Sequence, residues 1–131
     1  MDYSIPVSGL KLQSLRVSVS ANNIVNAGSV NSSDSNNTTA NVPFTPSRVD
    51  ALSKDPGVVG SVSSLPSSAP LSQVGQAASF AEIFSSTGVS IEQELVDQKL
   101  AVTAYKANAA VIRTFSELDE ILLDSVVNHE D

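Results

Sequence analysis

A chain of 131 residues with seven basic and fourteen acidic side chains, net charge −7, offers no basic face for nucleic acid. It has no cysteine, which excludes disulfides, thiolate chemistry and cysteine-ligated metal sites. Aromatic residues are only 5% against 41% hydrophobic ones, so the apolar content is mostly Val, Leu, Ala and Ile, and a chain of this size leaves part of its ordering to partners.

The N-terminal segment, residues 1–29, predicts a helix over about Ser4 to Val25, with Ser4 as its cap and Pro6 in its first turn. Ile5, Leu12 and Val19 repeat every seven residues, with Leu15 on the same side. Leu10, Val17 and Ile24 repeat at the same interval on roughly the opposite side. One stripe suits a surface helix; two stripes predict burial on two sides. Asn22, Asn23, Asn26 and Gly28 then accept turn and left-handed geometry and end the element.

The middle segment, residues 30–87, reads as loop or short strands. Residues 26–42 are almost free of large apolar side chains, a loop or disordered segment by composition. Val58, Val59 and Val62 suggest short strands, but Pro43, Pro46, Pro56, Pro66 and Pro70 are expected to interrupt any long element. Ser79, Phe80, Ala81 and Glu82 have capping-box spacing, and with Ile83 and Phe84 predict one short helical turn.

The last segment, residues 88–131, predicts a single long helix. Gly88 breaks the chain, Ser90 and Gln93 form a second capping-box pattern, and no Gly or Pro occurs between Ile91 and Val127. About 37 residues of helix span roughly 55 Å, too long for a compact domain of this size. Glu92, Lys99, Lys106, Arg113 and Glu120 form one charged line at seven-residue spacing. Leu95, Val102 and Ala109 form an apolar line, with Tyr105 and Ile112 beside it. Ala104, Val111 and Leu118 lie on another side, joined by Phe115 and Leu122. The apolar arc is wider than one core needs, and alanines at 101, 104, 107, 109 and 110 allow close helix approach. The expected fold is therefore mainly α, with N- and C-terminal helices paired as an elongated, coiled-coil-like hairpin around a loop-rich middle.

The acidity belongs to this last segment: residues 91–131 carry nine acidic and three basic groups, residues 1–90 five and four. It reads as a solvated or partner-facing surface. Glu117, Asp119, Glu120 and Asp124 have no His or Cys at useful spacing, so no metal site is expected. His129, the single histidine, stands without a partner for general-base work. No serine lies in a nucleophile elbow, and neither a phosphate loop nor a dinucleotide fingerprint is present. No catalytic residue, cofactor or metal is expected, and the chain is expected not to be an enzyme. No apolar run approaches the ~18–20 residues of a membrane span. No apolar stretch follows Lys11 or Arg16, so no cleavable signal peptide is expected.

The run Ser8, Gly9, Leu10, then Ser20, Ala21, Asn22, Asn23, Ile24, Val25 and Asn26 resembles the N-terminal motif of flagellar basal-body rod and hook proteins. Ala104, Tyr105, Lys106, Ala107 and Asn108, with Val111 and Thr114, resemble the same family's C-terminal motif, and Glu94 and Val96 fit the stretch before it. Val25 stands where the family usually has Ala, and Lys106 where it usually has Gln. The likeness covers roughly residues 4–29 and 88–125, and the short length is most similar to the proximal-rod members, the FlgC type ahead of the FlgB type.

This resemblance implies a structural subunit exported by the flagellar type III apparatus without cleavage and polymerised in the periplasm into a drive shaft. Its implied partners are copies of itself, other flagellar rod proteins, and membrane-ring and export-gate components at the rod base. The interface implied by motifs and stripes together runs along Leu10, Leu12, Leu15, Val17, Val19, Asn22, Asn23 and Ile24. On the second helix it takes in Leu95, Val102, Tyr105, Asn108, Ala109, Ile112, Phe115, Leu118 and Leu122. A soluble helical adaptor or export chaperone would share the long amphipathic helices and acidic surface, but not the paired terminal motifs.

Overall fold

A computed structural model describes residues 2–32, 41–65, 85 and 87–128 of the chain. Helix α1 spans Ser4–Val25 and helix α2 spans Ile91–Val127, with β1 (Val30–Ser32), β2 (Asn41–Pro43), β3 (Ser47–Lys54) and β4 (Gly57–Ser64) between them. The protein is thus mainly helical among the described residues, with two long terminal helices and small antiparallel sheets in the middle.

Both helices begin and end where the sequence predicts, but the first cap differs. Ser4 is the first helical residue, not the cap; Tyr3 is the N-cap and gives no side-chain bond. The Asp2 carboxylate takes over, accepting from the Ser4 amide at 2.8 Å and from the Ser4 hydroxyl. A carboxylate suits the positive end of a helix dipole better than a hydroxyl does. The Ser4 contacts hold the Asp2 carboxyl below the usual range. At α2 the expected cap is in place, with the Ser90 hydroxyl accepting from the Gln93 amide at 3.4 Å. Gly88 adopts φ 68°, the left-handed region that favours glycine.

The described part of the middle holds four short strands where composition allowed loop or short strands. Within residues 26–42, read as loop from composition, β1 pairs with β2 in a short antiparallel ladder, Val30 opposite Pro43. β3 and β4 form an eight-residue hairpin across Asp55 and Pro56, whose peptide bond is cis, with Val49 opposite Val62 and Ala51 opposite Gly60. The prolines do not interrupt these strands. Pro56 occupies the turn and Pro46 precedes β3, positions where a missing amide costs no ladder bond. The Leu65 amide donates to the Pro46 carbonyl at 2.7 Å and closes the open end. Arg48, Asp50 and Ser63 form a polar cluster on one face, and the Ser63 hydroxyl, at 2.7 Å, with Arg48 keeps the Asp50 carboxyl below its ordinary range. The expected turn over residues 79–84 lies outside the described residues, as do Pro66 and Pro70.

The two helices run antiparallel. Ser20 and Asn23 of α1 meet Glu94 near the start of α2, Gly9 meets Asn108, and Tyr3 meets Phe115 and Asp119. The β3–β4 hairpin lies against α1, where a Cβ on Gly60 would stand 2.7 Å from Leu15 Cδ2 and 3.0 Å from Leu12 Cδ1. That glycine lets the strand approach the helix closely. The apolar core is thin. Among the described residues, Leu12, Ala27, Val89 and Ala101 are the buried hydrophobic side chains.

Candidate assembly interface

Contacts at both ends and the middle fasten the helical pair, and those of Asn23, Ser20 and Gly9 draw on residues quoted above for their motif. The Asn23 carboxamide, 2% exposed, donates to the Ser47 carbonyl and the Glu94 carboxylate, both at 2.7 Å, and accepts from the Ser47 amide at 3.0 Å. One side chain thus ties the end of α1 to β3 and to α2. The buried Ser20 hydroxyl donates to the Glu94 carbonyl at 3.0 Å. Just before α2 begins, the buried Thr87 hydroxyl donates to the carbonyl of the buried Ala27, past the end of α1, at 2.8 Å.

At mid-helix, Gly9 faces the Asn108 carboxamide so closely that a Cβ would lie 2.7–2.8 Å from its atoms. The Asn108 amide donates back to the Ala104 carbonyl at 3.0 Å, which holds the side chain flat against its own helix. At the far end, the Tyr3 ring stands edge-on to Phe115, centroids 5.8 Å apart. Its hydroxyl donates to Asp119 at 2.6 Å, and this bond, with partial burial and the nearby negative charge, pushes the Tyr3 phenol above its ordinary value.

The face that α2 turns toward α1 is not its most apolar one. The buried and half-buried positions are Ile91, Glu94, Gln98, Ala101, Ala104, Asn108, Ile112, Phe115 and Asp119, separated by threes and fours. Of the residues expected at the interface, Asn108, Ile112 and Phe115 belong to this stripe. On α1, Leu12 and Asn23 are buried, Leu15 is half-buried beneath Gly60, and Val19 borders a cleft of about 740 Å³ between α1, β3 and the start of α2. Leu10, Val17 and Ile24 are half-buried, whereas Asn22 is exposed and its carbonyl accepts from the Asn26 side chain at 2.9 Å.

The remaining expected residues point outward. Leu95 is 52% exposed and Val102 42%, and Tyr105, Ala109, Leu118 and Leu122 are exposed as well. At about 100° per residue they fall on two flanks of α2, one on each side of the α1-facing stripe. Leu95, Val102 and Ala109 follow one flank; Val96, Leu100, Val111, Leu118 and Leu122 follow the other. A helix with a single partner would turn at least one of these flanks inward. Beyond Asp119 the helix outruns α1, and Ile121, Leu123, Val126 and Val127 are each more than 60% exposed.

Comparison with known proteins finds no matching family model and no curated protein of similar sequence.

Sequence reasoning had named Gly9, Ser20 and Glu94 only as motif letters; the structure gives them contacts. Tyr3 and the two hairpin glycines had no such signal, and Ser8, also a motif letter, gains its contacts here. The Ser8 hydroxyl donates to the Ile5 carbonyl at 2.7 Å and accepts from the Val58 amide at 3.1 Å, and a side chain on Gly57 would collide with it. The strand alternation around Val49 and Ala51 was the available signal. Among the described residues, no group of three or more His, Cys, Asp or Glu side chains is placed to hold a metal ion. No helix among them is long and apolar enough to cross a membrane.

Proposed function

We propose that this chain is a structural subunit of the bacterial flagellar basal-body rod, exported by the flagellar type III apparatus and polymerised through its terminal helices into a periplasmic, torque-transmitting shaft. The observation that carries the reading is the meeting of the two motif segments. Gly9 of the Ser-Gly-Leu run packs on Asn108 of the Ala-Tyr-Lys-Ala-Asn run, and Ser20 and Asn23 both bond Glu94. Four residues quoted for the resemblance, Gly9, Ser20, Asn23 and Asn108, thus meet across the two ends of the chain, with Glu94 beside them.

Three further features support it. Glu94, Ala101, Asn108 and Phe115 of the α1-facing stripe are spaced by sevens, the spacing a coiled-coil-like seam would use, and polar Gln98, Asn108 and Asp119 would define its register at some expense of stability. The apolar flanks of α2 stay outside, where a subunit of a helical tube meets its neighbours. Gln13, buried beside the cleft, has no hydrogen-bond partner for its carbonyl oxygen among the described residues, and a donor from a neighbouring chain would relieve it.

A strain lacking this chain should not swim, and electron microscopy should find basal bodies that stop short of the distal rod. Normal swimming in that strain, with no second copy of the gene, overturns the proposal.

A further inference from the structure

The charges on α2 are arranged in blocks. From residue 98 to 116 the side chains charged at neutral pH are Lys99, Lys106 and Arg113, all basic; from 117 to 128 they are Glu117, Asp119, Glu120 and Asp124, all acidic. Each block carries exposed apolar side chains. Lys99 and Lys106 border a shallow patch made by Leu95, Val96 and Val102, and Glu117 and Asp124 flank the exposed Ile121, four residues after one and three before the other. Neither lysine has an ion-pair partner among the described residues. Glu117 is held only by Arg113 at 2.8 Å, an exposed pair of little strength.

The two blocks share one spacing. Lys99 and Lys106 are seven residues apart, as are Glu117 and Asp124, and each acid follows its base by eighteen residues. Eighteen residues are five helical turns to within a few tens of degrees overall, so both charge pairs lie on the same side of α2, about 27 Å apart along the axis. A chain cannot join its own blocks, because they occupy one rigid helix. A second copy displaced along the axis can.

We infer that the acidic end of α2 docks on the basic-rimmed apolar patch of α2 in a second copy, the two helices parallel and staggered by about 27 Å. Glu117 then meets Lys99 and Asp124 meets Lys106, while Ile121, which lies between the two acids, covers Leu95 and Val102. The contact uses two different patches, so each copy keeps one of each free and the assembly grows without closing. The polar groups choose partner and stagger; the apolar groups supply most of the attraction. This inference rests on the assembly reading above for the premise that copies meet, and it adds which surfaces meet and at what offset.

The test is a charge swap in the purified full-length chain, with self-association followed by sedimentation velocity at low and high salt. Lys99→Glu with Lys106→Glu should weaken association about tenfold or more, and so should Glu117→Lys with Asp124→Lys. The chain carrying all four substitutions should recover to within about threefold of wild type, and wild-type association should weaken as salt rises. Circular dichroism of each variant checks that α2 still forms. Unchanged association in both double variants, absence of rescue in the fourfold variant, or a wild-type chain that stays monomeric at every concentration would each overturn the inference. These outcomes leave the rod reading to the deletion strain, whose phenotype does not depend on the stagger.

Discussion

At the C-terminal turn of α1 a single carboxamide satisfies groups from two other elements: the Ser47 amide and carbonyl and the Glu94 carboxylate. Replacing it by Ala would leave these buried or half-buried groups short of partners at once, which costs about 2–4 kcal/mol. Asn23→Ala should therefore lower the urea midpoint of the helical signal at fixed protein concentration, and an unchanged midpoint would remove Asn23 from the account. Gly9 is constrained from the opposite direction, by space. Gly9→Val inserts atoms where Asn108 already lies within 2.7 Å of an ideal Cβ, an overpacking penalty of about 1–3 kcal/mol. Gly9→Val combined with Asn108→Gly should regain part of that loss. Tyr3 supplies a pH dependence. Its phenol is held above the ordinary value near 10, so the folded chain binds that proton more tightly than the unfolded chain. The stabilisation is complete below about pH 10 and fades as pH rises through the folded value. The stability gap between wild type and Tyr3→Phe should accordingly be flat up to that pH and shrink above it.

Helix α2 separates two functions onto different faces. Its small and polar stripe meets α1, and its apolar flanks remain outside. Two aspartate substitutions distinguish them. Val102→Asp alters an exposed flank and should leave monomer helicity unchanged while abolishing association. Ile112→Asp places a charge on the half-buried stripe, between Asn108 and Phe115, and should reduce helicity at every concentration. Equal effects of the two on monomer helicity would show that the faces are misassigned. The hairpin illustrates why β3 and β4 were hard to read. Their inward positions are filled by glycine and small residues because Leu12 and Leu15 of α1 come so close to Gly60. The alternation of apolar side chains that marks a strand is therefore weak there.

For the molecule as a whole, the thin core decides how stable a lone copy can be. Burying Leu12 contributes about 2–3 kcal/mol and each small side chain less, against an ordering cost of about 1–2 kcal/mol per residue. Association that covers the flanks of α2 would add what the single chain lacks. Helicity measured by circular dichroism should rise with protein concentration; full helicity independent of concentration would favour a self-sufficient monomer instead. The boundaries of both long helices were legible in the sequence because they depend on neighbours three or four residues away. Ser90 with Gln93, Gly88, and the absence of Gly and Pro from residue 91 to 127 suffice to define α2. The apolar width of α2 was also legible, as a property of composition around one helix. Which face turns inward was decided only by tertiary structure. It depends on whether a glycine in α1 stands opposite Asn108, whether Glu94 reaches Asn23, and whether a hairpin covers Leu12, and those are matters of shape between residues far apart in the chain. Sequence periodicity ranks faces by hydrophobicity, whereas packing selects the face whose small and polar groups fit the partner at hand.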